Sequence, residues 1–296
     1  MSKTPSVSIV TLAYNHGKYI RQCLEGFVMQ VTDFPFEVII HDDASTDDTA
    51  EIIREYEQKY PDIIKPIYQT ENQYSKGVAI GATFLYPNAK GKYIAECEGD
   101  DWWTDPHKLQ KQVDYMESHP KCSMCCTNYS SFRMKDEFMK TDEMTSRRFN
   151  TLSLMRSNKI GTLTVLYRKH LLMEYLEKVK PKMPSFRMGD VPLWLWMTHK
   201  GYIKELPENT AVYRVLESSA SHSKDFIRQL DFELEGHRVR LWMNKELKLH
   251  YKPLIMTEIM VTTRNFCRKW ARTHNESKNT LLKKAIKHFR SSRRHH

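Results

Sequence analysis

The chain has 296 residues, of which 40% are hydrophobic and 28% are charged, as in an ordinary globular protein with a sizeable core. No apolar run of about 18 residues occurs and the N-terminus lacks a signal-peptide core, so neither a membrane span nor a secreted protein is expected. The six cysteines lack two pairs at zinc-site spacing, which favours buried thiols in the reducing cytoplasm, with zinc as the lesser alternative.

The positive charge is concentrated at the C-terminus. From Thr263 to the end there are 11 lysines and arginines and one acid, Glu276, so this tail carries the whole net charge of +10. With these removed from the totals of 46 basic and 36 acidic residues, 35 of each remain in residues 1–262. A neutral protein with a basic tail indicates an anionic surface as the partner of the tail.

Apolar runs alternate with helical patterns in the N-terminal part of the chain. Short runs rich in β-branched residues predict buried strands at Val7–Leu12, Phe36–Asp42, 63–69 and Tyr93–Cys97. Apolar residues at helical spacing predict helices at 20–28, 45–60, Val78–Leu85 and Lys108–Glu117, the second capped by Ser45 or Thr46. This alternation predicts an α/β fold with a mostly parallel sheet flanked by helices.

The pattern is weaker beyond Lys121. Apolar stretches predict strands at 122–132 and 161–172, the second continuing into a helix. A helix is predicted at 189–201, and Tyr202–Val215 has the pattern of two short strands. From Lys224 the sequence is mostly helical, which predicts a C-terminal helical extension.

Polar loops follow three of the predicted strands. Tyr14–Asn15 comes after the first strand, Asp42–Asp43 after the second, and Glu98–Asp101 after the strand at Tyr93–Cys97. Ligands of parallel sheets bind where the carboxyl ends of the strands meet, so these loops are expected to share one edge. Two of the three loops carry carboxylates, which either remain in water or hold a cation.

Common motifs do not explain these acids. Counted from Asp43, an EF-hand loop would need Gly at the sixth position, which is missing, and Glu at the twelfth, where Arg54 stands. Walker A and G-x-G-x-x-G loops are also missing from the sequence. A Mg²⁺ or Mn²⁺ site, which uses one or two carboxylates plus substrate phosphates, fits Glu98 and Asp100.

Four stretches resemble the family 2 glycosyltransferases of the GT-A fold, in order and over roughly residues 5–222. They are VSIVTLAYNHGKYIRQCLEGFVMQ, EVIIHDDASTDDT, AKGKYIAECEGDDWWTDPHKLQKQVDYM and MGDVPLWLWMTHKGYIKELPENTAVYRV. The resemblance implies a GT-A domain at 1–222, with a nucleotide-binding half at 1–105 and an acceptor half at 106–222, followed by the extension at 223–296. It also implies an inverting, metal-dependent transfer of a sugar from a nucleotide-diphospho-sugar, with UDP favoured.

The resemblance assigns roles to individual residues. The nucleotide-sugar pocket is expected at Thr11, Ala13, Tyr14, Asp42, Asp43, Lys76, Gly77, Glu98 and Asp100. Asp100 is the expected ligand of Mn²⁺ or Mg²⁺, with Glu98 and His222 as further candidates and Asp101 in support. Asp190, at a predicted helix start where backbone N–H groups would keep it ionised, is the expected catalytic base.

The sequence departs from the family pattern in two places. Many relatives have a metal-assisting histidine shortly after a Tyr-Arg pair, whereas Tyr213-Arg214 is followed by Val215, and the next histidine is His222. The Q-x-x-R-W motif of processive members is also missing, which favours transfer of a single sugar. A sugar-phosphate nucleotidyltransferase remains the alternative enzyme, and an inactive glycosyltransferase-like binding protein remains the alternative to an enzyme.

The resemblance also suggests a setting. It implies a glycan or lipid-linked acceptor in bacterial surface polysaccharide synthesis, and no basic and aromatic platform for nucleic acid adjoins Trp102 and Trp103. Apolar pairs among the basic tail residues predict a helix on the anionic inner face of the cell membrane, the alternatives being a solvated tail or a helix packed on the domain. These pairs are Phe266 and Trp270, Leu282 and Ile286, and Ala285 and Phe289.

Overall fold

The computed structural model describes residues 4–141, 149–186, 188–216, 225–274 and 277–292. The chain divides into two units that interleave along the sequence. Unit 1 consists of Met1–Asn150, Lys159–Pro181 and Lys200–Leu216, and unit 2 consists of Thr151–Asn158, Lys182–His199 and Glu217–His296. The predicted boundary at residue 222 lies outside the described residues and stays a prediction.

Unit 1 is built on one mixed sheet. The strands are β1 (Val7–Ala13), β2 (Phe36–Asp42), β3 (Ile64–Tyr68), β4 (Tyr93–Glu96), β5 (Trp102–Trp103), β6 (Cys122–Arg133), β7 (Phe138–Thr141), β8 (Leu166–Arg168) and β9 (Tyr202–Val215). Their order is β3-β2-β1-β4-β8-β6-β9-β5, with β7 paired to β6. The first four strands are parallel, β8 is antiparallel to β4 and β6, and β9 is parallel to β6. The predicted α/β class is confirmed.

Helices cover this sheet and form most of unit 2. They are α1 (Gly17–Val28), α2 (Thr49–Lys59), α3 (Lys108–Ser118), α4 (Thr151–Arg156), α5 (Lys169–Lys178), α6 (Asp190–Lys200), α7 (Phe226–Glu246), α8 (Lys252–His274) and α9 (Lys278–Ser292). The apolar residues that predicted α1 and α2, such as Ile20, Phe27 and Ile53, are fully buried in the core beneath the sheet. Within the described ranges, no helix is both long and apolar enough to cross a bilayer.

Helix α2 begins later than its capping residues predict, at Thr49. The preceding side chains are used elsewhere, because Ser45 Oγ accepts the N–H of Asn15 at 2.9 Å and Asp47 Oδ2 accepts the N–H of Gly17 at 2.9 Å. The other oxygen of Asp47 accepts the N–H of Thr49 at 3.0 Å. These bonds tie the loop after β1 to the loop after β2, so the two loops form one rigid piece.

Two further elements differ from the sequence prediction. The expected pair of strands at Tyr202–Val215 is one continuous strand, β9, which passes through Pro207. Bulges on either side of Asn128 in β6 absorb the irregularity, and the Asn128 amide donates to the carbonyl of Pro207 at 3.3 Å. The helix expected at Val78–Leu85 is a single π-helical turn at Gly81–Leu85.

The cysteines agree with the prediction of buried thiols. All six are buried and free in the described part of the chain. Three of them, Cys122, Cys125 and Cys126, lie on β6, where burial raises the pKa of each thiol. A raised pKa keeps a thiol protonated and unreactive, so these cysteines act as apolar core residues.

Unit 2 buries the apolar residues of the basic tail. Phe266 and Trp270 of α8 pack against Phe226 of α7, with ring centroids 5.4 and 5.5 Å away. Ala285 of α9 is also buried in this cluster, while Ile286 is 43% exposed. The prediction that these apolar pairs face a membrane is wrong for Phe266, Trp270 and Ala285, because intramolecular packing already removes them from water.

Candidate active site

The predicted polar loops do meet at one edge of the sheet. Strand β1 pairs with β2 on one side and with β4 on the other, so its carboxyl end lies between theirs. Past the strand ends, the N–H of Asp43 donates to the carbonyl of Ala13 at 3.0 Å, and the N–H of Gly99 donates to that of Leu12 at 2.9 Å. The loops Asp42–Asp43 and Glu98–Asp101 therefore flank the end of β1.

This edge contains a group of buried polar atoms that lack hydrogen bonds. Among the described residues, no partner reaches Thr11 Oγ1, His16 Nδ1, Asp42 Oδ1, Asp100 Oδ1 or either ring nitrogen of His41. Buried polar atoms are nearly always paired, because an unpaired one costs about 1–3 kcal/mol. Such a concentration near the ends of neighbouring strands and in the loops that follow them marks a place where a polar ligand would complete the bonding.

The two acids after β2 have different environments. Asp43 is buried, and its carboxylate accepts the N–H groups of Gln73 at 2.7 Å and Tyr74 at 3.0 Å. Asp42 is equally buried but keeps the unpartnered Oδ1. Asp43 therefore fixes the neighbouring loop, and Asp42 is the acid of this pair whose oxygen is free for a ligand.

The remaining residues predicted after β1 and β3 lie around the same edge. Ala13 is buried at the end of β1, whereas Tyr14 is 45% exposed and can cover a ligand. Asp43 holds the segment that leads to Lys76 and Gly77. Gly77 has a left-handed φ of 77° with open space around it, and Lys76 forms an ion pair with Glu71.

The acid loop after β4 holds three carboxylates in three environments. Glu98 is exposed, Asp100 is partly buried, and Asp101 is 3% exposed. Asp101 Oδ1 accepts the N–H of Arg214 at 2.8 Å. Burial, followed by the charge of Asp100, raises the pKa of Asp101 to about 8. Asp101 therefore has a supporting place inside the loop, while Glu98 is the exposed acid of the three.

Gly99 lets this loop approach the start of α1. A Cβ at this position would lie 2.8 Å from His16 Nδ1 and 3.0 Å from the carbonyl oxygen of Leu12. Real Cβ contacts are almost never so short, so only glycine fits without a shift of backbone. The close approach brings His16 into electrostatic contact with Asp100.

Arg214 of β9 supports the acid loop from behind. Its Nε donates to the carbonyl of Asp100 at 2.7 Å, and its Nη2 donates to Gln22 Oε1 at 2.8 Å. Its guanidinium lies 4.4 Å from the ring centroid of Trp102 and 4.7 Å from that of Tyr19. A planar cation between two aromatic faces has little freedom, so Arg214 fixes the loop to α1 and β5.

Sequence reasoning missed the roles of His16 and Arg214. His16 lies in a loop whose pattern shows only that the first strand has ended. Arg214 had a signal, because it belongs to the Tyr213-Arg214 pair, but the family pattern assigns a role there only to the histidine that follows the pair. His222, the candidate substitute, lies outside the described residues.

Unit 2 holds the predicted base. Asp190 is the first residue of α6, as expected, and its Oδ2 accepts the amide of Asn158 at 2.7 Å. Burial raises the pKa of Asp190, although the N–H of Val191, the charge of Arg240 and the Asn158 bond oppose the rise. The helix start is confirmed, but the net direction of the pKa is opposite to the one expected from backbone N–H groups alone.

No cluster of three or more His, Cys, Asp or Glu side chains suited to a metal occurs within the described residues. This is compatible with a metal of the Mg²⁺ type, which takes few protein ligands and completes its shell with phosphates and water. The buried and unpartnered Asp100 Oδ1 has the chemistry of such a ligand.

Strand order and acid loop define the class of protein: a GT-A glycosyltransferase fold, with polar loops gathered at the carboxyl edge of the parallel strands. Residues 8–180 match the model of glycosyl transferase family 2. The chain belongs to this family and is a glycosyltransferase.

Relatives and solved structures agree with this assignment. An uncharacterized protein of Mycobacterium tuberculosis is 36% identical over 253 residues, which are 82% of this chain and 68% of that protein. The Escherichia coli UDP-Glc:alpha-D-GlcNAc-diphosphoundecaprenol beta-1,3-glucosyltransferase WfaP is 31% identical over 75% of this chain and 83% of its own length.

Among solved structures, S. aureus TarS in complex with UDP aligns with a TM-score of 0.61 at 18% identity, over 93% of this chain and 73% of that one. The mannosyltransferase PcManGT of Pyrobaculum calidifontis, in complex with GDP-Man and Mn²⁺, aligns with a TM-score of 0.59 at 17% identity, over 96% of this chain and 80% of that one. At these identities the likeness concerns the fold.

Proposed function

We propose that the chain is a hexosyltransferase that moves one sugar from a nucleotide-diphospho-sugar to an acceptor hydroxyl with inversion, with the help of Mn²⁺ or Mg²⁺. The observation that carries the proposal is the group of buried, unpartnered polar atoms at the carboxyl edge of β1, β2 and β4. UDP is the favoured nucleotide, supported by the complex of TarS with UDP and by the donor in the name of WfaP.

The nucleotide would satisfy the polar atoms of this edge. Asp42 Oδ1 would accept a hydrogen bond from the base, and Thr11 Oγ1 would bond to the base or the ribose. Glu98, exposed beside the pocket, would face the ribose. Tyr14 would cover the bound nucleotide, since its ring is already half in solvent.

The metal would be held by Asp100, whose buried oxygen lacks another partner. A bound divalent ion would neutralise the negative charge that develops on the departing diphosphate. Arg214 keeps the Asp100 backbone in place through its bond to the carbonyl oxygen. The Mn²⁺ in the PcManGT complex supports a metal at this kind of site.

Asp190 would take the proton of the acceptor hydroxyl while the new glycosidic bond forms. A general base is needed, because a neutral hydroxyl is a poor nucleophile, and a carboxylate can serve. A single displacement by the activated hydroxyl inverts the anomeric carbon, which is the stereochemical outcome of one attack from the face opposite the leaving group.

The acceptor is proposed to be a glycan or a lipid-linked sugar in bacterial surface polysaccharide synthesis. The support is the name of WfaP, whose acceptor is a sugar on diphosphoundecaprenol. A lipid-linked acceptor lies in a membrane, so the enzyme would work at the cytoplasmic face of one.

The basic surface of unit 2 fits such a location. Arg264, Arg268 and Arg272 of α8 are exposed, as are Lys283 and Lys287 of α9. Since Phe266, Trp270 and Ala285 of these helices are buried, the attraction would be electrostatic, with about 1 kcal/mol for each charge near an anionic surface. In a flotation assay the full chain should bind phosphatidylglycerol vesicles and be released by high salt. It should not bind phosphatidylcholine vesicles.

A donor assay tests the enzymatic proposal. The full chain is incubated with a panel of nucleotide sugars in Mn²⁺ or in EDTA, and nucleoside diphosphate release is measured. Metal-dependent release supports the transferase. Pyrophosphate-dependent exchange would indicate the alternative nucleotidyltransferase, and binding without release would indicate an inactive binding protein.

Two variants separate the roles. Asp100→Asn should lose metal-dependent nucleotide binding, while Asp190→Asn should keep binding and lose turnover by roughly a hundredfold or more. Asp114→Asn, an exposed acid on α3, is the matched control and should change neither. Full turnover in Asp100→Asn at saturating Mn²⁺ would exclude Asp100 as the metal ligand.

A further inference from the structure

A buried cation lies near the proposed base in unit 2. Arg240, on the second half of α7, is only 5% exposed. Its Nε donates to the carbonyl of Leu154 in α4 at 2.6 Å, which fixes the position of the guanidinium. Asn158 lies just beyond the end of α4, and its amide donates to Asp190 Oδ2 at 2.7 Å. One segment thus anchors both groups that act on Asp190.

Gly236 leaves space for the Arg240 guanidinium. A Cβ on Gly236, one turn earlier in α7, would lie 2.9 Å from Arg240 Nη1 and 3.5 Å from the sulfur of Met188. A larger residue at Gly236 would press on Arg240 Nη1 and force the guanidinium to shift. The glycine therefore leaves room for a charged side chain inside the unit.

The electrostatics of this cluster involve four elements. Arg240 interacts with Asp190 of α6 and with Glu258 of α8, and burial lowers the pKa of Arg240 to about 10, so it is charged at neutral pH. Burial, followed by the charge of Arg240, lowers the pKa of His237 of α7 to about 4, so His237 is neutral. Asn158, after α4, contributes the dipole of its side-chain amide, which donates to Asp190. The cation therefore favours the ionised form of Asp190 against the opposing effect of burial.

We propose that Arg240 and Asn158 are positioning residues that aim the Asp190 carboxylate and keep it ionised, so that it can accept the proton of the acceptor. This rests on the proposed role of Asp190 as the base. Arg240 supplies the charge and Asn158 fixes the oxygen that it bonds. Neither residue touches the reacting atoms in this scheme.

The test is the titration of Asp190 itself, followed by NMR of ¹³C-labelled aspartate carboxyls in the full chain, with Asp190→Asn to assign the signal. Arg240→Met should raise the pKa of Asp190 by about one to three units, because an opposite charge is removed from a buried carboxyl. Arg240→Lys, which keeps the charge, should restore most of the shift. Arg238→Met, an exposed arginine on the same helix, is the matched control and should leave the titration unchanged.

Hydrolysis of UDP-glucose gives a second readout. In Arg240→Met the acid limb of the pH–rate profile should move to higher pH, so that hydrolysis falls at least roughly tenfold at pH 7 and recovers in alkaline buffer. Asn158→Ala should lower the rate at every pH, with a smaller shift of the limb. Loss of a merely structural contact would lower the rate without moving the limb.

Three results would overturn the inference. They are an unchanged titration of Asp190 in Arg240→Met, a shift that Arg240→Lys fails to restore, and full activity in Asn158→Ala. If Arg240→Met fails to fold, the other two variants still test the inference. Arg240→Lys must leave the pKa of Asp190 near that of the wild type, and Asn158→Ala must lower the hydrolysis rate. Full turnover in Asp190→Asn would instead refute the proposed base, which is a separate outcome.

Discussion

Two Gly-Asp pairs, one in each unit, carry the acids proposed as metal ligand and as base, and they are held in different ways. Gly99-Asp100 in unit 1 is fixed by backbone, since the loop bonds to the end of β1 and fits only glycine against His16. Gly189-Asp190 in unit 2 has its acid bonded by the side chain of Asn158 and influenced by the charge of Arg240.

Each acid also has a buried arginine that comes from far along the chain, Arg214 in one unit and Arg240 in the other. Arg214 bonds to backbone groups of the acid loop, and its charge is enclosed by aromatic rings. Arg240 acts on its carboxylate through charge. The comparison teaches that the acid of a Gly-Asp sequence can be held in place either by the path of the chain or by the side chains around it.

The largest effect is expected from Arg214→Met, which removes the support of the acid loop. Transfer should fall by at least roughly a hundredfold, because a misplaced loop loses the metal ligand. Leaving the Asp100 carbonyl and Gln22 Oε1 without their donor should also lower the free energy of unfolding by about 1–3 kcal/mol. Denaturant unfolding and calorimetric UDP binding would measure both effects. Normal stability with normal UDP binding would show that the acid loop keeps its conformation without the Arg214 side chain.

The two glycines give the sharpest contrast. Gly99→Ala should weaken UDP binding and cost about 1–3 kcal/mol of stability, because its Cβ meets backbone and the His16 ring. Gly189→Ala should change stability by less than about 0.5 kcal/mol, since no described atom lies within 4 Å of its added Cβ. Parallel thermal unfolding and UDP titration check this pair. Equal effects in both variants would remove the distinction between the two acids.

Lys108 is a third buried cation and should behave in the opposite way. Its Nζ donates to the neutral Gln112 at 2.7 Å and lies 4.1 Å from the ring centroid of Trp103. Burial lowers its pKa from 10.5 to about 8, so protonated Lys108 opposes folding. Lys108→Met should therefore raise the free energy of unfolding at pH 7 by about 1–3 kcal/mol.

The pH dependence of this gain has a defined sign. Between about pH 8 and pH 10.5 the unfolded lysine holds a proton that the folded one has lost, so wild-type stability rises with pH there. The gain from Lys108→Met should be largest below pH 8 and should vanish toward pH 10.5. Urea unfolding at several pH values measures it, and a loss of stability at pH 7 would mean that the lysine is a net stabilising contact.

The smallest effect on folding is expected at exposed cations. Replacing Lys283, Lys284 and Lys287 of α9 with Gln should change the free energy of unfolding by less than about 0.5 kcal/mol. Binding to phosphatidylglycerol vesicles should weaken roughly a hundredfold, given about 1 kcal/mol for each charge. Unchanged vesicle binding, measured by flotation, would separate α9 from the proposed membrane surface.

Local patterns predicted the part of the molecule that local interactions build. The strands β1, β2 and β4, and the acids that follow them, were predictable because apolar runs and loop acids lie close together in sequence. The role of Arg214 was not, because its partners lie on elements that are distant in sequence. Nor was the single strand β9, since Pro207 predicts a break and only the bulges of β6 allow the strand to continue.

The tail shows a second limit of sequence patterns. The spacing of Phe266 and Trp270 predicted a helix correctly, but an apolar face has the same pattern whether it packs on a membrane or on another helix. Only the cluster formed with Phe226 decides which surface covers it. The candidate site was therefore predictable in its acids and less so in the residues that support them.

The hydrogen bond from the Arg214 N–H to Asp101 joins residues that are 113 positions apart, so it can form only late during synthesis. A ribosome that has released only the segment matching the family model, residues 8–180, has produced β1, β2 and β4 but not β9. Contacts between distant segments form late, because the intervening chain must first be made and closed into a loop. The nascent chain would thus gain this support of its acid loop only after residue 214 emerges.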